Sequence, residues 1–247
     1  MTSLNPLAPV TDYQSMLNRI FWFTSASALV AIWMLRLHNP ALNEILSKID
    51  FKVEFGGEKI LPIPGGYLFP ALAVGMLTRI YRLHARISDS LGIRRCFDID
   101  VIIAEFAALM HIDLSLVSYE RLVEHRSSIM RTAFYTYVSS ARPLIDQQLV
   151  YQALDAWSWF WIGVEATLVF TLAGFALIAG GAYEVGLETI GGAIIFAAIG
   201  LPAMRGQCSR YAIAQARAIV ADPARAAQVR MAFAVLAQGR YADRRAA

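Results

Sequence analysis

The sequence predicts an all-α membrane protein with four transmembrane helices, a cytoplasmic helical domain and a short extracytoplasmic β-hairpin. Of its 247 residues, 57% are hydrophobic and 17% are charged, which is too apolar for a soluble domain and too charged for a chain wholly inside lipid. Four stretches approach the roughly 20 apolar residues that a helix needs to cross a bilayer; they are residues 20–37, 67–83, 157–180 and 187–204. The segment between the second and third stretches has the periodicity of amphipathic helices.

The distribution of arginines predicts how these spans are oriented across the membrane. Eight arginines lie from Arg82, at the end of the second span, to the start of the third span, eight more follow residue 204, and the turn "GGAYEVG" after the third span has none. All three lysines lie between the first and second spans, where acidic residues offset them. By the positive-inside rule, the central segment and both termini are cytoplasmic, and we expect a multi-pass protein of the bacterial inner membrane.

The predicted organisation has six parts, and the second span is its weakest element. That span begins at the Pro/Gly-rich "PIPGGYLFP" and carries Arg79 and Arg82 in its last turns, where long side chains can reach the headgroups. The first apolar run is retained as an anchor, because the preceding residues lack the features of a secretory signal. The parts are an N-terminal segment with the first span (1–38), an extracytoplasmic loop (39–66), the second span (67–83), a cytoplasmic helical domain (84–155), a transmembrane hairpin (156–204) and a basic cytoplasmic tail (205–247).

The extracytoplasmic loop contains the predicted hairpin. The stretch "FKVEFGGEKILPI" alternates apolar and charged residues, turns at Gly56 and Gly57 and resumes through Ile63, a pattern typical of two antiparallel strands. A plain ordered connector is the alternative interpretation, since a lone hairpin is marginally stable in water.

Local capping signals mark the cytoplasmic helices. Asp98 or Asp100 is the expected N-cap of one helix, and Ser118 begins the next. A third helix is predicted to start at Pro143 and to run unbroken into the third span. The tail is predicted to form two amphipathic helices, one from about residue 206 and one that opens at Asp222 and stops near residue 239.

Enzyme motifs are absent from the sequence. No nucleotide-loop, zinc-protease, nucleophile-elbow or kinase pattern occurs, and the four histidines and two cysteines are scattered without metal-ligand spacing. The acidic pair Asp98 and Asp100 is more simply a helix cap, and the cluster Glu120, Glu124 and His125 a solvated helix face. We therefore expect no catalytic residue, no cofactor and no metal.

A candidate ligand site combines arginines with aromatic residues. The stretch "MRTAFYTYVSSARP" interleaves Arg131 and Arg142 with aromatic side chains, and guanidinium groups bind phosphate oxygens while aromatic rings stack on bases. Arg94 and Arg95 precede the helix expected at about residue 98, whose N-terminus would also attract an anion. The predicted set is Arg94, Arg95, Arg131, Tyr135 and Arg142, whereas Phe134 and Tyr137 are more simply packing residues. The basic tail, with eight arginines against two acids, is typical of contact with anionic lipids.

A candidate pore lies in the hairpin formed by the third and fourth spans. Its many small residues allow the close helix contacts of a homo-oligomer. Glu165 interrupts the third span, Thr167 and Thr171 follow it, and Glu184 and Glu188 share a helix face at the outer mouth. The alternatives are that Glu165 pairs with a neighbour such as Arg79 and that the two outer glutamates are solvated acids in an exposed turn.

Two segments carry a likeness to known proteins. The stretches "GIRRCFDIDVIIAEFAALM" and "MRTAFYTYVSSARPLIDQQLVYQALDAWSWFWIGVE" resemble small multi-pass membrane effectors of bacterial anti-phage defence, in particular the channel-type effector of the Hailong system. The Kiwa membrane component, which also has four spans, is a second similar family. The resemblance covers residues 92–170 and carries over no site residue. It implies an oligomeric channel that opens when a nucleotide or oligonucleotide from a nucleotidyltransferase partner binds, and that then depolarises the membrane.

The function predicted from these features is a ligand-gated oligomeric ion channel. An anionic ligand on the cytoplasmic arginines would shift the helix expected at Pro143 and thereby the third span. Two alternatives stay open: a non-channel membrane scaffold that docks a soluble partner, and a small transporter, although no internal repeat typical of transporters is evident.

Overall fold

The computed structural model describes residues 5, 7–49 and 64–246, with side chains through residue 236, and these residues form helices joined by turns, without a β-strand. The predicted hairpin over residues 51–63 lies outside the described residues. The described helices, in chain order, are α1 (Tyr13–His38), α2 (Pro40–Ser47), α3 (Gly65–Ile80), α4 (Leu83–Ser90), α5 (Ile93–Phe97), α6 (Ala104–Leu109), α7 (Tyr119–Met130), α8 (Gln147–Ala179), α9 (Tyr183–Ile195), α10 (Leu201–Val220) and α11 (Pro223–Ala246).

Three π-helical turns continue these helices. Asp98–Ile103 joins α5 to α6, Arg131–Tyr135 extends α7, and Phe196–Gly200 joins α9 to α10. The segment from Ile93 to Leu109 is therefore one helical run, and so is the segment from Tyr183 to Val220.

The chain forms two compact units. Unit 1 comprises Met1–Ala8, Gln14–His84 and Ser158–Arg205, and unit 2 comprises Pro9–Tyr13, Ala85–Trp157 and Gly206–Ala247. Helix α8 begins in unit 2 and ends in unit 1 without interruption.

Three helices are long and apolar enough to cross a membrane. They are α1, α8 and the run Tyr183–Val220, so the structure confirms a helical protein with candidate membrane-spanning segments. The second predicted span is helical, but α3 has only 16 residues, short of the roughly 20 that a full crossing takes. The structure thus gives three spans by this criterion, and the four-span count is not reached.

The helices of unit 1 have defined directions. Helix α3 is antiparallel to α1, because the Arg36 guanidinium lies 4.1 Å from the Tyr67 ring centroid and Arg79 Nη1 donates to Asn18 Oδ1 at 2.7 Å. The two backbones approach closely at Gly75, where an added Cβ would lie only 2.0 Å from Ser25 Oγ.

Helix α8 runs parallel to α1 in the same unit. Arg19 Nη1 on α1 donates to Ser158 Oγ on α8 at 3.2 Å, and further along both helices Thr24 Oγ1 donates to Glu165 Oε2 at 2.6 Å. Helix α9 returns antiparallel to α8, since Gly174 faces Ile190.

Unit 2 is built around a core in which Phe97, Phe106, Ile103, Ile129 and Met130 are fully buried. Helix α11 packs against α7 and against the π-helical turn that follows α7. The core thus joins the central helices to the C-terminal ones.

Polar contacts join α10 and α11 to the rest of unit 2. Arg217 Nε donates to Glu105 Oε1 at 2.8 Å, and the Tyr137 hydroxyl bonds to Gln228. Arg225 Nη1 donates to the Leu144 carbonyl at 2.6 Å. Leu144 belongs to the connector that leads into α8, so α11 holds this connector.

Several predicted helix ends are confirmed, and others differ in the structure. Ser118 caps α7 by accepting from the Arg121 N–H, and Asp222 caps α11 by accepting from the Ala224 and Arg225 N–H groups. The helix expected at Pro143 begins at Gln147 instead, although it does continue through the third span.

Two predicted boundaries in the tail are wrong. The run Tyr183–Val220 passes residue 205 without a break, so the fourth span and the first tail helix are continuous. Helix α11 continues to Ala246, beyond the expected stop near residue 239.

Candidate functional site

The structure brings two of the five predicted ligand residues into contact. Arg94 lies on α5, and Tyr135 closes the π-helical turn after α7. Arg94 Nη2 donates to the Tyr135 hydroxyl at 3.1 Å, and the guanidinium carbon lies 5.4 Å from the centroid of the tyrosine ring. Arg94 is exposed and Tyr135 is half-buried, so this contact forms the solvent-facing side of a polar cluster.

The inner side of this cluster contains Asp98 and Arg126, neither of which the sequence identified as a ligand residue. Arg126 Nη1 donates to Asp98 Oδ2 at 2.7 Å, and the Tyr135 hydroxyl lies 3.3 Å from the same oxygen. Asp98 is only 4% exposed, whereas the Arg126 side chain is 26% exposed. We refer to Arg94, Asp98, Arg126 and Tyr135 together as the arginine cluster.

Burial governs the electrostatics of this cluster. It raises the pKa of the Asp98 carboxyl above its ordinary value, and the attraction of Arg126 and Arg94 opposes that rise. Burial also raises the pKa of Tyr135, so its hydroxyl keeps its proton at neutral pH. Tyr135 therefore accepts a hydrogen bond from Arg94 and donates one to Asp98.

The expectation that Asp98 or Asp100 caps a helix is wrong, and the helix N-terminus at which Arg94 and Arg95 were expected to add an anion site is not at residue 98. The helical run begins at Ile93, after Gly92 in the left-handed conformation with φ of 63°, and Asp98 lies inside it. Arg94 and Arg95 are thus within the first turns of the helix and do not precede it.

The other three predicted ligand residues are exposed. The Arg95 guanidinium folds back over Gly92, where an added Cβ would lie 2.9 Å from Nη2. Arg131 occupies the start of a π-helical turn, and Arg142 lies in the connector before α8. Among the contacts that the structure describes, none joins Arg95, Arg131 or Arg142 to the arginine cluster.

Glu165 is 1% exposed and faces the interior of unit 1. Its carboxylate accepts from Thr24 at 2.6 Å, and the Thr78 side chain and the His84 backbone lie within hydrogen-bonding reach. Arg79, the partner suggested by the sequence, instead donates to Asn18. Glu165 therefore joins helices within one chain.

The remaining pore candidates divide between a cleft and the surface. Thr167 and Glu188 line a cleft of about 410 Å³ in unit 1, between α1, α8 and α9, whose other lining side chains are mainly apolar. Thr171 donates to the Thr167 carbonyl at 2.7 Å. Glu184 is exposed in the first turn of α9.

Among the side chains that the structure describes, no group of three histidine, cysteine or acidic residues is arranged to hold a metal ion.

A model of the YmfE protein family matches residues 12–234 of the chain. No curated protein and no solved structure matches it.

Proposed function

We propose that this chain, which belongs to the YmfE protein family, forms an oligomeric ion channel of the bacterial inner membrane that an anionic ligand opens from unit 2. The observation that carries the proposal is the continuity of α8, a single helix of 33 residues with residues in both units. A displacement of its first turns reaches the membrane-spanning part without a hinge, because an uninterrupted helix is stiff along its axis.

The proposal includes α3 as a fourth, short span. Helices α1 and α8 are parallel, so the chain between them has to return across the membrane. Helix α3 is antiparallel to α1 from the level of Asn18 to that of Arg36. The 16 residues of α3 rise about 24 Å at 1.5 Å per residue, so α3 would cross the roughly 30 Å of a bilayer core only as a short span whose terminal side chains reach the headgroups. Four crossings leave both termini on one side, which the arginine distribution makes the cytoplasm.

The ligand class follows from the arginine cluster. Two guanidinium groups and a phenol hydroxyl supply hydrogen-bond donors for phosphate oxygens. The ring of Tyr135 offers a face for a base, although Arg94 stacks on it in this state. A nucleotide or oligonucleotide combines both chemistries.

Homo-oligomer formation is supported by the surface of α9. Only 11% of the most apolar window of Tyr183–Val220 is buried within the chain, against 33% for each of the other two spans. Large apolar side chains are exposed along this run, among them Leu187, Ile194, Ile195 and Ile199. Gly191 has no atom within 4 Å of an added Cβ, which leaves room for a helix from a second copy.

The pore is assigned to α8 and α9 of each copy. The cleft that contains Thr167 and Glu188 supports this assignment, because it places polar groups of both helices on one open surface. Glu165 faces away from solvent and serves to hold α1 against α8.

A biological role in anti-phage defence rests on the resemblance to channel-type effectors and on the ligand class. In that role, a nucleotidyltransferase partner makes the ligand after infection, the channel opens, and the inner membrane loses its potential. Anionic lipids of the inner leaflet contact the basic tail.

Reconstitution in liposomes tests the proposal. We expect ion flux, reported by a potential-sensitive dye, when short oligonucleotides or nucleoside triphosphates are added to the purified protein, and an oligomer by mass photometry. Absence of flux with every such ligand, together with a monomer in detergent, would overturn it. Recovery of a stoichiometric soluble partner without any flux would favour a scaffold instead.

A helix break in α8 tests the coupling itself. Gln152 is an exposed residue of α8, and proline inside a helix costs about 3 kcal/mol or more. Gln152→Pro should bind nucleotide as the parent does but lose ligand-dependent flux, whereas the matched control Gln152→Ala should keep both. Equal flux from the two variants would contradict transmission through α8.

A further inference from the structure

The arginine cluster is built around an internal carboxylate, Asp98. Arg94 donates to the Tyr135 hydroxyl, Tyr135 donates to Asp98, and Arg126 donates to the same carboxylate. Two of these bonds end on the Asp98 carboxylate, and Tyr135 connects that buried acid to the exposed Arg94.

A buried carboxylate at this position has a cost and a specific partner. Removing a carboxylate from water is unfavourable unless charged and hydrogen-bonding partners surround it. Asp98 is only 4% exposed and accepts from Arg126, on α7, and from Tyr135, on the turn that follows. The same donors are those that bind a phosphate group. An anion that brings its own negative charge can therefore take the place of Asp98 without leaving Arg126 unpaired.

We infer that Asp98 is a built-in competitor for the ligand, and that a phosphate group of a nucleotide or oligonucleotide displaces its carboxylate from Arg126 and Tyr135. This inference rests on the proposed function, since it describes how the same site is kept closed. Arg94, which is exposed, meets the phosphate first, and Arg126 binds it after Asp98 has moved aside.

The backbone around the cluster is suited to such an exchange. Asp98 opens one π-helical turn and Tyr135 closes another, and π-helical turns are frequent at functional sites. The Asp98–Tyr135 contact joins these two turns. Its release frees the segment that follows Tyr135, where the Leu144 N–H bonds to the Tyr137 carbonyl at 2.9 Å, just before α8 begins.

A binding experiment with inorganic pyrophosphate tests the competition directly. The variants are Asp98→Asn, which removes the competing charge with little change of shape, and Asp100→Asn, a matched control. Asp100 lies two residues away and is exposed, so both variants change the net charge equally. Isothermal titration on the full chain in detergent should show about tenfold tighter binding for Asp98→Asn. In this variant the state in which Arg126 and Tyr135 are free to bind an anion is no longer the minor one. The control should stay within about twofold of the parent.

Equal affinities for the two variants would overturn the inference, because the effect would then be one of net charge. Absence of pyrophosphate binding in the parent and in both variants would overturn it as well. Because Asp98→Asn leaves Arg126 without its charged partner, a second pair keeps the test decisive if that variant does not fold. Asp98→Asn/Arg126→Gln should bind pyrophosphate about threefold tighter than Arg126→Gln alone, since the Asp98 charge no longer competes for the Tyr135 hydroxyl beside Arg94. No difference within this pair would also overturn the inference.

The result is separable from that of the channel proposal. Tighter binding by Asp98→Asn with no flux from any variant would refute the channel and leave the competitor in place. Ligand-dependent flux with identical behaviour of Asp98→Asn and Asp100→Asn would refute the competitor and leave the channel.

Discussion

Two buried carboxylates, Glu165 of unit 1 and Asp98 of unit 2, have different kinds of partners. In unit 1, Glu165 accepts from the neutral hydroxyl of Thr24. In unit 2, Asp98 meets Arg126, and charge meets charge. A hydrogen bond to a neutral partner fixes two helices by its geometry. An ion pair adds electrostatic attraction, and another anion can compete for that attraction.

This difference separates structural from responsive contacts. An exchange of acid for amide preserves a hydrogen bond to a hydroxyl but abolishes an ion pair. We therefore expect the stability of unit 1 to depend on packing and shape. The stability of unit 2 should depend on charge and on the burial of apolar side chains away from water. Three further experiments test this contrast.

The largest expected effect on stability comes from truncating one buried side chain in the core of each unit. Ile129 in unit 2 and Leu177 in unit 1 are both 0% exposed. Ile129→Ala should destabilise unit 2 by about 2–5 kcal/mol, the transfer and cavity cost of a soluble core. Leu177→Ala should cost about 1–2 kcal/mol, because a lipid-solvated reference state removes the hydrophobic term and leaves only lost packing. Pulse proteolysis in detergent, with fragments assigned to each unit, measures both, and equal costs would contradict the contrast.

An intermediate effect is expected at Glu165. Glu165→Ala leaves Thr24 without its acceptor in a buried site, which should cost about 1–3 kcal/mol and weaken assembly. Glu165→Gln keeps an acceptor oxygen for the Thr24 hydroxyl, so assembly and flux should both stay near those of the parent. Loss of flux from Glu165→Gln in an intact oligomer would show instead that this carboxylate lines the pore.

The smallest effect is a pH dependence at the start of α11. Hydrogen bonds from the backbone N–H groups of Arg225 and Ala224 lower the pKa of Asp222. The cap is therefore complete above about pH 4, the ordinary range of an aspartate, and is lost as the pH falls through the lowered value. Amide hydrogen exchange at Ala224 and Arg225, corrected for intrinsic rates, should accelerate across that range. Asp222→Asn, which also caps helices, should show no such change.

Local chemistry explains what the sequence could predict. Ser118 and Asp222 cap helices as expected, because a cap needs only a side-chain acceptor and the N–H groups two or three residues later. The apolar runs of α1, α8 and α9 were likewise evident from composition.

Long-range neighbours explain what the sequence could not predict. Aspartate is a residue type that often caps helices, but the partner of Asp98, Arg126, is 28 positions away. No local sequence pattern predicts the π-helical turn. Among the ligand residues, the contact of Arg94 with Tyr135 spans 41 positions. Conversely, the exposure of Arg131 and Arg142 depends on where α7 ends and where α8 begins. The proline at 143 placed the start of α8 four residues too early.

The pairing of Glu165 illustrates the same limit. Arg79 had the right charge and the right predicted depth in the membrane, but lateral position decides contacts between helices. Thr24 lies beside Glu165 because α1 and α8 are parallel neighbours, a relation that depends on the whole unit and not on either helix alone.

The parallel pairing of α1 with α8 also imposes an order on the making of the protein. Thr24 and Glu165 are 141 positions apart, which takes about 7–28 s of synthesis at 5–20 residues per second. During that interval the groups of α1 that α8 covers, such as the Thr24 hydroxyl, wait for their partners on α8. Synthesis of α8 therefore completes the polar interior of unit 1.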